Sequence, residues 1–496
     1  MDLAQKYPPQ HLGPDTPSKD SLIKLLQAAV QLELTTVPLY MNAMYSMHPG
    51  TNDEAYHLIR SVVLEEMLHM TLAGNLMNAL GRHPVLNKVG TANDSVPLFP
   101  AQMPYARHPV PLALQPFSEK AIDTFILIES PPKPPPGWKT YKTCDTLPFL
   151  KETRTTGWNT IGEFYAAIEE KLEALVATYG EREVFTGDKT WQIGPEDFYN
   201  SGGEAFEVVD LASARKAMRV IAEQGEGLRA TLFTSDDVLF GEQRQVAHFF
   251  RFLEVRCKRR YGPNDTADDL PGGTSLDIDY TARYDTKTAD TREQAQADRK
   301  ALPAPQRALV EDFDRTYARL LVLLHDAFNR TPKRMKDAIP VMLDLRYKAE
   351  EIFRNPLPGH PGKHLHPTYE VTTTVLDDLS RELLLTPPPR PTTLPLGTVP
   401  VTSGSCVPKT LCMWQKPNRQ GVGYGVGAGY DLDLAQLPVN EDNTMRKNVS
   451  SWHNGTDGDA ELVAENGSIR TLPAGMSLEE PTEHDKTVVK IRWKRT

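Results

Sequence analysis

Apolar residues recur every three or four positions along two long stretches near the start of the chain, which is the period of one helix face. In the first, Leu22, Leu26, Ala29, Val30, Val37, Tyr40 and Met44 form a stripe broken by a single carboxylate, Glu33. In the second, the stripe of Ile59, Val63, Met70 and Ala73 takes in Glu66, with His69 beside it. The same period predicts helices over 18–45, 52–80, 160–180, 211–232, 243–260, 306–330 and 333–354. Thr51-Asn52-Asp53 and Gly81 read as start and stop signals for the second helix. Pro38 lacks a backbone donor and predicts a kink one turn past Glu33.

Elsewhere the pattern changes. Residues 82–159 are rich in proline and form the expected long crossover between the second and third bundle helices. Residues 262–305 carry many aspartates and few apolar residues, the composition of an acidic surface excursion. A Pro-rich linker is expected over 386–404, ending a helical domain of residues 1–385. From 405 to 496, short apolar alternations broken by glycine and asparagine predict a small all-β domain. The fold class is therefore multidomain, α then β.

Chemistry enters through the interrupted stripes. A buried ionised carboxylate costs several kcal/mol unless something charged or hydrogen-bonding answers it. A metal ion is one answer, and Glu-x-x-His on an inward helix face is what carboxylate-bridged dimetal bundles use. A plain Glu66–His69 hydrogen bond is the other. In the helix near 211–232, Glu226 lies closer to the buried stripe than Glu223, roughly 100° against 160° from its centre at 100° per residue. Glu226 is thus the better ligand. Position 229, where such bundles would place a second histidine, is arginine.

The segments Gln31–Tyr40, Glu65–Met70 and Asn75–Gly81 resemble the ferritin-like domain of the iminophenyl-pyruvate dimer synthase family, which includes proteins of violacein, rebeccamycin and staurosporine biosynthesis. The similarity runs on through Phe125–Pro131, Thr160–Tyr165, Glu223–Gly227 and His248–Phe252, covering roughly residues 18 to 375. The resemblance implies a ferritin-like bundle with a long crossover. Glu163 matches its third-helix carboxylate, although Thr160-Ile161-Gly162-Glu163 also reads as a capping box, and both readings stay open. His248 matches its His-Phe-x-x-Phe position and would supply the second imidazole. Glu33, Glu66, His69, Glu163, Glu226 and His248 would then hold non-haem iron, either as a di-iron site or as a reduced mononuclear one. Tyr40 would line the oxidant pocket, with Glu163 completing or bridging the metal. The resemblance further implies an enzyme of specialised metabolism that oxidises or couples a small, amino-acid-derived imine.

The region from Ser405 resembles a small βγ-crystallin-type β-sandwich, similar to peptidase-inhibitor relatives of that fold, through Cys406, Leu411–Trp414 and Asn448–Asn454. Crystallin calcium sites open with an acidic or amide residue where this chain has Lys447, so calcium is not expected. The histidines at 360, 364 and 366 read as surface or pocket-lining.

The chain of 496 residues has a net charge of −10, which argues against a nucleic-acid or anionic-membrane partner. No apolar leader or spanning run is evident, so a cytoplasmic protein with a small-molecule substrate is expected, and a homo-oligomer is compatible. Of the four cysteines, Cys144 and Cys257 read as free, while Cys406 and Cys412 either pair or stay reduced. The rival reading is a metal-stabilised binding or structural protein whose β-domain recognises a partner. Storage fits poorly with an appended β-domain.

Overall fold

The computed structural model describes residues 18–89, 96–107, 111–135, 158–198, 205–227, 232, 246–385, 395, 397–401, 403–439, 443–480 and 486–493. Cys144 and most of the expected linker lie outside them. The chain divides into two compact units, Met1–Leu383 and Leu384–Thr496.

In the first unit, α1 (Lys19–Tyr45) starts at Ser18, whose side chain accepts from Ser21 N, and holds Pro38 within it. α2 (Asp53–Ala79) stops where Gly81 adopts φ +74° and Arg82 N reaches Met77 O, the left-handed ending that glycine permits. Its start differs from the expected cap. Asn52 makes no side-chain cap; its amide instead exchanges hydrogen bonds with the backbone of Asp279. Within the expected crossover the chain forms a further helix, α3 (Glu119–Ile128), capped by Ser118. α4 (Ile161–Tyr179) and α5 (Leu211–Glu226) follow, then α6 (His248–Cys257). α1 packs on α2, α2 on α5, α5 on α4 and α4 on α1, which closes a four-helix bundle; α3 and α6 pair with each other, and α6 also meets α2 and α5.

The stretch expected as an acidic excursion carries a short helix, α7 (Arg292–Ala301). α8 (Ala304–Asn329) and α9 (Met335–Arg354), the latter holding Pro340, pack on each other and against the outer side of the α1–α2 pair. Gly74 explains how closely α8 approaches: a Cβ there would sit 2.5 Å from the Phe328 ring. α10 (Thr373–Leu385) ends the helical sequence. α1 alone is long and apolar enough to cross a membrane among the described residues, yet 89% of its apolar window is buried in the protein, as in a core helix.

The second unit is antiparallel β. One sheet has the order β1-β3-β2-β5-β8, from β1 (Thr398–Val401), β2 (Thr410–Lys416), β3 (Gln420–Gly427), β5 (Ser451–Asn454) and β8 (Ser477–Glu479). The other has the order β4-β9-β6-β7, from β4 (Leu432–Asp433), β6 (Ala460–Ala464), β7 (Ile469–Leu472) and β9 (Val488–Trp493). Leu411, Met413, Trp452, Leu462 and Ile491 are central to its core. β1 falls inside the segment read as linker; it contains Pro400, which an edge strand tolerates because it lacks one ladder donor. Cys406 and Cys412 form a disulfide, Cys257 is a half-buried free thiol, and Lys447 pairs with Glu465.

Candidate metal centre

Six elements of the helical unit converge on one buried cluster. α1 contributes Glu33, Thr36 and Tyr40; α2 contributes Glu65, Glu66 and His69; Glu129 follows the last residue of α3. Tyr165 comes from α4, Gln224 from α5, and His248 and Arg251 from the first turn of α6. The four glutamates and both histidines are no more than 2% exposed. Burial of this kind follows from the closed bundle: α1 and α2 are covered on more than one side, so carboxylates on them have no route to water.

Three carboxylates share one arrangement. Glu33 Oε1 accepts from the Tyr165 hydroxyl at 2.6 Å, and Glu33 Oε2 lies 3.7 Å from His69 Nδ1. Glu66 Oε2 is 2.7 Å from the Thr36 hydroxyl, and Glu66 Oε1 lies 2.8 Å from His248 Nδ1 and 3.8 Å from His69 Nδ1. Glu129 Oε1 accepts from the Tyr40 hydroxyl, and Glu129 Oε2 lies 3.6 Å from His248 Nδ1. Each carboxylate therefore has one oxygen tied by a hydroxyl and the other facing an imidazole nitrogen.

The imidazoles are held from behind. His69 Nε2 is 2.7 Å from the amide oxygen of Gln224, an acceptor, so Nε2 carries the proton and Nδ1 keeps its lone pair. His248 Nε2 is 2.7 Å from Glu65 Oε2, and Arg251 Nη2 donates to the other Glu65 oxygen at 3.0 Å. Ionised Glu65 anchors the proton on Nε2 of the second ring. The rings lie nearly parallel, 5.3 Å apart. Although Glu66 Oε1 is close, His248 Nδ1 has no hydrogen bond of acceptable geometry; it is a buried donor set without its partner. One ligand atom each from Glu66, His69 and His248 lie within 4.8 Å of one another, so the residues present fit a metal ion.

The proton affinities of the metal-free cluster reflect unanswered charge. Burial, partly offset by the Tyr165 hydrogen bond, raises Glu33 from 4.5 to about 7. Burial and then the Glu66 charge raise Glu129. Burial lowers His69, with Glu66 opposing. For His248 burial works downward, but Glu129, Glu65 and Glu66 together hold it well above its ordinary value. Glu65 is also disfavoured by burial, yet Arg251 and His248 bring it below the usual range.

Of the residues expected from the sequence, Glu33, Glu66, His69 and His248 meet here, and Tyr40 meets Glu129. Glu163 and Glu226 are placed at the start of α4 instead. Glu163 Oε2 accepts from the backbone and side-chain nitrogens of Asn159 at 2.9 and 3.0 Å, and Thr160 caps Glu163 N. Glu226 Oε1 accepts from Gly162 N at 2.6 Å. Carboxylates at a helix N-terminus answer its unpaired amides and positive dipole end. Glu65, Glu129, Gln224 and Tyr165 belong to the cluster but were not singled out from the sequence.

Residues 26–257 match the Ferritin-like family model. A crystal structure of a ferritin like protein from Caulobacter vibrioides is similar at 22% identity and a TM-score of 0.43, over 73% of this chain and 100% of that one, too loosely to place any residue. No curated protein matches the chain.

Proposed function

We propose that this ferritin-like domain, residues 26–257, holds non-haem iron at Glu33, Glu66, His69, Glu129 and His248 and uses it to oxidise a small molecule. The observation that carries the reading is the repeated carboxylate arrangement, in which hydroxyls fix the outer oxygens and leave three inner ones toward the Nδ1 atoms of two imidazoles. Carboxylate and imidazole donors in this proportion suit iron rather than a thiolate-seeking metal. When bound, iron would supply redox chemistry with dioxygen or peroxide.

The chain's own contribution is positioning. Glu65 and Gln224 orient the two rings, and Arg251 keeps Glu65 ionised. Tyr40 and Tyr165 hold single protons at Glu129 Oε1 and Glu33 Oε1, where a carboxylate that changes its charge can receive or return one. An amino-acid-derived imine is the substrate class that the family resemblance suggests.

Elemental analysis of purified protein, followed by anaerobic Fe(II) loading and exposure to oxygen, tests the reading. Iron near one or two equivalents and transient charge-transfer absorption support it. Metal retained with no optical change on oxygenation would mean an ion that only braces the bundle.

A further inference from the structure

The helices that hold the cluster each carry a second, apolar face. On α1, Leu34, Val37, Pro38 and Met41 fall at the spacing of one helix face, while Glu33, Thr36 and Tyr40 are spent on the cluster. On α2, Leu64, Met67 and Thr71 repeat that spacing. With α8, α9 and Tyr369 from the following segment, these faces enclose a chamber of about 70 Å³. At roughly 10–15 Å³ for each water position, that is room for about five waters, or about 150 Å³ of liquid. Close-packed interiors seldom leave a void larger than one water, so this space exceeds the slack of ordinary packing.

Its chemistry is uniform. No lining side chain is ionisable at neutral pH. The Thr71 hydroxyl is spent within its own helix, donating to Met67 O at 2.8 Å. The Tyr317 and Tyr369 hydroxyls are closed off even to a water, so only their rings bear on the space. The wall therefore presents carbon and sulfur. A water inside would find none of the two to four polar partners it needs, and an apolar cavity of this size stays dry and accepts a small hydrocarbon. A guest with a polar group would give up its hydrogen bonds to water and regain none. Five of the chain's 14 methionines, Met41, Met67, Met70, Met335 and Met342, stand in this one wall. Unbranched thioethers adjust their rotamers to an apolar guest. Leu64, Met67, Ile339 and Met342 are only half-buried and mark the way in between α2 and α9.

We propose that this chamber binds a small, uncharged hydrocarbon and rejects guests of the same shape that carry a hydrogen-bonding group. It is a second site, built on faces of α1 and α2 that the metal cluster does not use.

Cyclopentane and tetrahydrofuran, the same ring with a methylene or an ether oxygen, are the probes. The full chain, carrying ¹³C-labelled methionine methyls and freed of metal by chelation, is titrated with each and followed by nuclear magnetic resonance. Cyclopentane should shift, saturably, the signals that single Met→Leu changes assign to the five wall methionines. Tetrahydrofuran should bind at least about tenfold more weakly, because its buried oxygen finds no donor. Ala338→Leu, which extends a small buried wall residue into the space, should abolish the shifts while the far-ultraviolet spectrum stays unchanged. Met342→Trp at the half-buried rim makes the same test from outside, should the first variant fail to fold. Since the protein is metal-free throughout, the result does not depend on the iron reading. Absence of a saturable cyclopentane shift, tetrahydrofuran binding as tight as cyclopentane, or cyclopentane affinity unaltered in a folded space-filling variant would each overturn the proposal.

Discussion

In the β unit the fully buried Glu480 side chain accepts from Arg470 Nη1 and Nη2 at 2.8 Å each and from Trp452 Nε1 at 2.7 Å. In the helical unit, Glu33, Glu65, Glu66 and Glu129 are as deeply buried, but the one guanidinium that the described residues bring to them is Arg251, bonded to Glu65. The β unit balances its buried acid with its own donors. Among the described residues the helical unit does not, and the deficit is negative, local and faced by two imidazoles. Burial alone therefore does not distinguish a structural carboxylate from a ligand; the completeness of its partners does.

The largest effect expected from this contrast is on metal content. Glu66→Ala or His248→Ala should reduce bound iron by more than about 100-fold in affinity, since each removes a ligand and not just a supporting contact. Helix content should stay. Undiminished iron by elemental analysis in both variants would remove the cluster from consideration.

On the β side, Glu480→Ala leaves a largely buried Arg470 without its carboxylate and should destabilise that unit by about 3–5 kcal/mol. Denaturant titration followed by tryptophan emission would detect it, and a change below 1 kcal/mol would show that the pairing is not what balances the fold there.

A third consequence concerns pH. With Glu33 raised to about 7 and His248 held well above its ordinary 6.5, the folded, metal-free helical unit keeps a Glu33 proton that the unfolded chain releases near pH 4.5 and a His248 proton that it releases near pH 6.5. Its stability should thus be greatest in mild acid and fall as pH rises through 7. Metal should reverse the trend, because binding needs the deprotonated ligands. Melting of the helix signal at pH 5 and 8, with chelator and with Fe(II), makes the comparison; a metal-free melt that rises with pH contradicts the sign.

The smallest effect belongs to the tethers. Gln224→Leu removes the acceptor behind His69 without touching a ligand and should weaken metal binding about 10-fold to 100-fold. Unchanged affinity would show that the ring needs no support from α5.

Much of this was legible in the sequence, for reasons that also explain what was not. α1 and α2 are each 27 residues long, and over that length Glu33, Glu66 and His69 stand out as polar breaks in an apolar period. Glu65 was obscured because α2 is buried on several sides, where a single stripe underrates its neighbours. Glu129 lies in a proline-rich stretch after a helix of only 10 residues, too short for its period to be seen against the surrounding loop. Ser118 and Glu119, followed by Ala121, Ile122, Phe125 and Ile126, were the available signal. Glu226 shows the opposite failure: its burial was readable, but not that it would face the amide of Gly162. His248 was reached only through family resemblance, because nothing in a 10-residue helix announces that its first side chain points to a partner 182 positions away.

Pro400 has a meaning that extends beyond a single chain. β1 is the outermost strand of its sheet, and an outermost strand offers unpaired amides and carbonyls to any similar strand that drifts alongside. A proline in that position interrupts the row, so a neighbouring copy cannot extend the ladder without a break. The β1 edge thereby carries a guard against edge-to-edge pairing with another copy, at the one residue of β1 that has no amide hydrogen to give.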